Sequence, residues 1–424
     1  MGLKNTIHKL FSKWISFKLF HFFPNDSVSQ NALIILLTLG LCAAVGFIFT
    51  IIAARMYSIE SLGIATLLLS YASIIIIITR FGTEQSMIRY YDENEKSSVF
   101  CSSVFPTTIS AISLSLLLIL ISYFGVFGSD YLFTYSVVFI IGVTFLSVNQ
   151  VCGGLFLASS KPTLYLIQNT IVSSRIIFLF LLVPLGVLGI FGSLVVAAGL
   201  STFFMILLLF HLGIKFQLPD KKFISDSFHY SLGNYISDCL LTGPVFLIPI
   251  VVFFISGQKD TAIYSVSYAF ASIAFIIPVS IGYALFMSGC NEKTTFSSIK
   301  TVIGAALVFL LGITLVFFFW GKEIVKLLGP DYSGAADLIT IIMSSSIFAL
   351  FFQVYSAEFK ILQQMKKLLF VNCVFFVSLM MLSYLFITNF GLLGIGYAWI
   401  AAYGICVIPM IFYTLLNKII CYQG

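Results

Sequence analysis

Residues 368–417 read LLFVNCVFFVSLMMLSYLFITNFGLLGIGYAWIAAYGICVIPMIFYTLLN, fifty positions without an Asp, Glu, Lys or Arg. A hydrocarbon layer about 30 Å thick is crossed by roughly 20 residues of helix. The run is therefore too long for one crossing, and Asn389-Phe390-Gly391 in its middle is a turn signal. It predicts two membrane-spanning helices joined by a tight hairpin. A second long uncharged run, Ile176 to Ile214, breaks in the same way at Pro184-Leu185-Gly186.

The pattern extends over the whole chain. Of 424 residues, 60% are hydrophobic and 9% charged, where soluble domains carry about 25% charged residues. The reading is an all-α integral membrane protein with about twelve transmembrane helices. Helices are expected near Ala32–Ala54, Leu62–Thr79, Val99–Phe124, Tyr131–Leu157, Thr163–Val183 and Val187–Phe210. A second set is expected near Phe228–Ile255, Ala262–Gly289, Val302–Trp320, Leu338–Ala357, Leu368–Thr388 and Leu392–Leu416. Ahead of them, residues 1–30 mix Lys4, Lys9, Lys13 and Lys18 with aromatic residues, as a retained helix lying on the membrane surface would.

Placing the N-terminus in the cytoplasm puts seventeen Lys and Arg residues on that side and four (Arg55, Lys259, Lys322, Lys326) on the other. Positive residues favour the cytoplasmic side, so both termini are expected there. The net charge of +6 is dispersed between apolar runs, which argues against a nucleic-acid partner. The eight cysteines are scattered without metal-ligand spacing, so neither a metal nor a cofactor is expected.

An internal repeat is visible. Leu185-Gly186-Val187-Leu188-Gly189-Ile190 recurs as Phe390-Gly391-Leu392-Leu393-Gly394-Ile395, and Gly128-Ser129-Asp130-Tyr131 recurs as Gly329-Pro330-Asp331-Tyr332. Each motif occupies the corresponding hairpin of its half. Six crossings per copy is an even number, so the copies insert the same way up, related by an axis along the membrane normal. The expected organisation is an N-terminal segment (1–30), a six-helix bundle (31–210), a cytoplasmic linker (211–227), a second bundle (228–417) and a tail (418–424).

The segment Ala54-Arg55-Met56-Tyr57-Ser58-Ile59-Glu60-Ser61-Leu62-Gly63, with Arg80-Phe81-Gly82 and Arg89-Tyr90-Tyr91, resembles the start of the polysaccharide exporters of the multidrug/oligosaccharidyl-lipid/polysaccharide superfamily. Leu327-Leu328-Gly329-Pro330-Asp331-Tyr332-Ser333-Gly334-Ala335-Ala336 is similar to the same family. Within the superfamily the likeness is to O-antigen flippases of the Wzx type. That resemblance implies two six-helix bundles around a central cleft in a bacterial inner membrane. The implied cargo is an undecaprenyl-diphosphate oligosaccharide carried from the cytoplasmic to the periplasmic leaflet. Implied partners are the lipid-linked oligosaccharide, membrane lipids and other O-antigen or capsule assembly proteins.

Arg175 is the first candidate for the path, because an arginine in mid-span costs about 2.5 to 3.5 kcal/mol on insertion scales. Its fork of donors suits phosphate oxygens; an ion pair with Asp238 or a bond to a carbonyl is the structural alternative. Asp238, with Asn234, Ser237 and Thr242 on one face of its helix, is a candidate proton or counter-ion site. Asn149 with Gln150, Gln168 with Asn169, and Gln353 with Tyr355 offer hydrogen bonds to sugars or between helices. Arg55, Arg80, Glu84 and Arg89 read as interfacial anchors at helix ends. A multidrug cation exporter of the same superfamily is a rival reading. A membrane-embedded polymerase fits less well, for no Asp-x-Asp motif or large external loop occurs.

Overall fold

The computed structural model describes residues 27–124, 131–289 and 296–423. The surface segment expected at 1–30 lies outside them save its last four residues, as do Gly128, Ser129 and Asp130 of the repeat. In the first half the helices are α1 (Ser27–Met56), α2 (Ile59–Thr79), α3 (Thr83–Tyr90), α4 (Lys96–Tyr123), α5 (Tyr131–Thr134), α6 (Ser136–Ala158), α7 (Pro162–Ser173), α8 (Arg175–Leu181) and α9 (Val187–His211). The second half holds α10 (Lys221–Ser256), α11 (Gln258–Gly289), α12 (Phe296–Lys326), α13 (Ala335–Ile361), α14 (Met365–Phe390) and α15 (Leu393–Gln423). They make twelve helical crossings long and apolar enough for a membrane, with α2 and α3 forming the second in two pieces and α7 and α8 the fifth.

Two boundaries differ from the sequence reading. α10 begins at Lys221 rather than Phe228, and α15 continues through the expected tail to Gln423. The non-helical connection is therefore short, and it is strapped to α4. The backbone N–H of Lys215 donates to Ser97 Oγ at 3.0 Å, and that of Asp220 to Ser102 Oγ at 2.7 Å.

The repeated turn motif has a physical cause in both copies. Gly186 and Gly391 take φ of +56° and +62°, a region that side chains disfavour. Three residues later the next crossing must pass the end of the previous one. A Cβ on Gly189 would stand 2.2 Å from the Leu182 carbonyl oxygen, and one on Gly394 2.1 Å from that of Phe386. Only glycine closes either hairpin. The Leu179 carbonyl accepts the Tyr57 hydroxyl at 2.7 Å, meeting the need of a helix end for an outside partner.

Helix packing repeats as the turns do. The first crossing packs on the fifth as the seventh does on the eleventh; the second on the fourth as the eighth on the tenth. The pairs third–fourth, fourth–sixth and fifth–sixth likewise return as ninth–tenth, tenth–twelfth and eleventh–twelfth. Between the halves, α1 meets α11 as α10 meets α2, while α2 and α11 meet each other. A two-fold relation between the bundles maps this whole set onto itself.

Candidate functional site

The second crossing breaks at the face rich in Lys and Arg. Phe81 and Gly82 lie at φ of 47° and 69°, and a bulky residue in that region is strained. The Ile78 carbonyl, whose donor in a continuous helix would be Gly82, accepts the Tyr235 hydroxyl of α10 at 2.6 Å. Around this break Arg80, Gly82, Glu84 and Gln85 of the first half face Tyr235, Asp238 and Cys239 of the second, lining a polar cavity of about 60 Å³. That holds a few waters and no sugar.

Each half contributes one carboxylate. Glu84 accepts from Gln150 Nε2 at 2.7 Å and pairs with Arg80 at 3.4 Å. Asp238 accepts from Gln85 Nε2 at 3.2 Å. Ser237, its neighbour on α10, turns instead to Asn372 Nδ2 at 2.8 Å, and Thr242 bonds back to the Asp238 carbonyl. The side chain of Asn234 lies outside the described residues.

Arg175 stands elsewhere, inside the first half, at a break in the fifth crossing. α7 ends at Ser173, the Ser174 N–H makes a tightened bond to the Ile171 carbonyl, and Arg175 opens α8. Its guanidinium carbon lies 5.0 Å from the Phe49 ring centre. Gly46 of α1 lies beside it, where a Cβ would meet an arginine terminal nitrogen at 3.6 Å, an ordinary contact distance. Arg175 Nε and Ser174 Oγ are buried with no hydrogen-bond partner. Arg175 joins none of the ion pairs among the described residues, so the pair with Asp238 weighed from sequence is not formed.

Asn149 and Gln168 are together and bond to each other, with Gln168 Oε1 buried and without a hydrogen-bond partner. Gln168 Nε2 donates to Asn149 Oδ1 at 2.7 Å and to its backbone carbonyl, Asn149 Nδ2 donates to Ser201 Oγ at 2.7 Å, and Ser201 Oγ reaches the Gln168 carbonyl at 3.3 Å. This closed ring joins α6, α7 and α9. Gln353, half-buried on α13, packs on α11, where a Cβ on Gly282 would lie 3.2 Å from its Oε1. Arg80 and Glu84, read from sequence as anchors, line the cavity together with Gln85 and Tyr235. The available signal was the glycine in Arg80-Phe81-Gly82-Thr83-Glu84-Gln85, which marks a break rather than an end.

Residues 28–286, more than half of the chain, match the family described as polysaccharide biosynthesis protein. The chain belongs to that family. No curated protein matches it. Among solved structures, this member of the polysaccharide biosynthesis family is similar to the inward-facing conformation of a multidrug resistance MATE family transporter of the MOP superfamily. The TM-score is 0.75 at 15% identity, covering 90% of this chain and 95% of that one. It is equally similar to the lipid II flippase MurJ in an inward closed conformation, with a TM-score of 0.75 at 12% identity, covering 90% and 87%. An outward-facing MATE conformation gives 0.58 at 13% identity, covering 94% and 98%. The fold is theirs.

Proposed function

We propose that this protein is a flippase that carries an undecaprenyl-diphosphate-linked oligosaccharide, such as an O-antigen repeat unit, across a bacterial inner membrane. Transport runs from the cytoplasmic to the periplasmic leaflet by alternating access, with the face bearing seventeen of the Lys and Arg residues in the cytoplasm. The observation that carries the reading is Arg175. A mid-span arginine costs about 2.5 to 3.5 kcal/mol, and a ring contact returns about 0.5 to 2 kcal/mol. Its Nε is left without a partner beside a helix break. The arginine's forked donors suit the oxygens of an anionic head.

Family membership supports the polysaccharide route, and the shared fold with a lipid II flippase supports movement of a lipid-linked head while the tail stays in lipid. Burying a phosphate or an unpaired hydroxyl in hydrocarbon costs kilocalories per group, so the head needs a polar path. Asn149, Gln168 and Gln353 are weaker candidates for it than Arg175, their contacts being with other helices. Asp238 and Glu84, facing each other across the halves, are the candidate site for a driving proton or sodium ion. The multidrug reading would want a free acidic group, and both carboxylates are already hydrogen-bonded.

The test is export in cells carrying Arg175→Ala or Arg175→Lys at matched protein level. Surface polymer should be lost in the first and reduced in the second, because lysine keeps the charge without the fork. Wild-type polymer with Arg175→Ala would remove Arg175 from the path. Flipping into vesicles at equal rates with and without proton or sodium gradients would remove the coupling role of Asp238.

A further inference from the structure

At the face poor in Lys and Arg, the halves touch through the starts of α2 and α11. A Cβ on Gly63 would lie 2.0 Å from the Gln258 carbonyl oxygen, so backbone meets backbone where any side chain would intervene. Glu60, one turn earlier, pairs with Lys259 Nζ at 3.4 Å. The Gln258 side-chain amide donates to the Tyr131 hydroxyl, and the Tyr131 ring stands edge-on to Phe253 with centres 6.0 Å apart. Tyr332, in the Gly-Pro-Asp-Tyr turn, is 3% exposed. Burial pushes its phenol up, and the Asp331 and Glu60 carboxylates add to the effect. The contacts of Gly63 with Gln258, Glu60 with Lys259, and Tyr131 with Gln258 and Phe253 all cross from one half to the other.

We propose that Glu60, Gly63, Tyr131, Gln258 and Lys259 form a seal that must part for cargo to leave, with Gly63 setting how tightly it shuts. Its polar contacts are of the kind that separate cheaply. Glu60 and Lys259 are 45% and 67% exposed, and exposed pairs add little stability. α2 and α11 also present two positively polarised N-termini side by side, each with a carboxylate, Glu60 or Asp260, in its first turn.

The inference rests on the transport reading for one of its two readouts. In membranes, Glu60→Cys/Lys259→Cys is oxidised with copper phenanthroline, with the protein bearing only its native cysteines as control. The cross-link is expected to form, to lower transport about tenfold or more because a conformational step then limits the rate, and to release on reduction. The second readout needs no cargo. Gly63→Leu should raise labelling of Ala262→Cys, fully buried at the start of α11, several-fold by an impermeant maleimide applied from the outer face, and Gln258→Ala serves where the leucine variant does not accumulate. No cross-link, unchanged transport in the fully linked protein, or unchanged labelling would overturn the seal. If the parent moves no lipid-linked oligosaccharide while linking and labelling behave as stated, the cargo reading fails and the seal stands.

Discussion

Replacing Gln168 by alanine separates a residue that holds helices from one that holds cargo. Gln168 is 2% exposed, and its amide is the donor to both oxygens of Asn149. Alanine leaves Asn149 Oδ1 without its donor, which in soluble proteins costs about 1 to 3 kcal/mol, while the Asn149 backbone carbonyl keeps its place in the α6 ladder. Hydrogen bonds between membrane helices average only about 0.6 kcal/mol, because helices separated in lipid find other partners. With truncation of the buried side chain included, roughly 2 kcal/mol is expected, more than a tenfold shift in the folded ratio. Denaturation in mixed detergent micelles measures it. Because Asn149 and Gln168 share bonds, the double variant Asn149→Ala/Gln168→Ala should be less destabilised than the two singles added. Export per folded molecule should stay near the parent's. A Gln168→Ala protein as stable as the parent but unable to export would refute this reasoning and put the amide on the cargo path.

Gly189→Ala and Gly394→Ala should each cost about 3 kcal/mol, the upper end for overpacking, since the obstacle is a backbone carbonyl at 2.2 or 2.1 Å. Gly192→Ala and Gly312→Ala, with nothing within 4 Å, are the controls, and size-exclusion profiles of detergent extracts report the difference. Outside the crossings, Lys96 and the Tyr91 hydroxyl hold the Glu93 carboxyl down at about 2. A depressed acid stabilises the loop above the ordinary carboxylate range, about 4, and loses that contribution as pH falls through its lowered value. Hydrogen exchange of residues 91–96, corrected for intrinsic rates, should therefore show protection fading over that interval. Glu93→Gln should abolish the pH dependence, and an unchanged profile in the variant would show that the ion pair does not order the loop.

Membrane sequence made some of these features legible and hid others for one physical reason. Lipid requires every backbone group to be satisfied within the segment, so crossings announce themselves by length and turns by Gly, Pro and Asn; all twelve crossings were readable in this way. The same solvent makes all helix faces apolar, and periodicity then carries little information on what each face meets. Ser237 and Asp238 are adjacent on α10, yet one serves Asn372 and the other Gln85, 153 positions away. Arg80 and Glu84 could be read as anchors because a break inside a crossing and an end of one look alike in composition. Arg175 was visible because its charge is costly at that depth, although the break that frees Ser174 was not.

The repeat supplies the remaining discrimination. Eleven residues before Gly186 stands Arg175, and eleven before Gly391 stands Met380, packed among apolar neighbours on an unbroken α14. The two copies agree at positions that the hairpins and helix pairs require, Gly186 with Gly391 and Gly189 with Gly394. They part at Arg175, whose Nε has no hydrogen-bond partner. Agreement between copies therefore follows from folding, which acts on both halves alike. A departure that buries a cation against the Phe49 ring in one copy alone is not required by that shared folding, which accords with the role proposed for Arg175. Moving the charge tests this: Arg175→Met/Met380→Arg keeps composition and net charge, and it should fold but not export. Full export from that variant would mean that the cation serves from either half, and the asymmetry would lose its meaning.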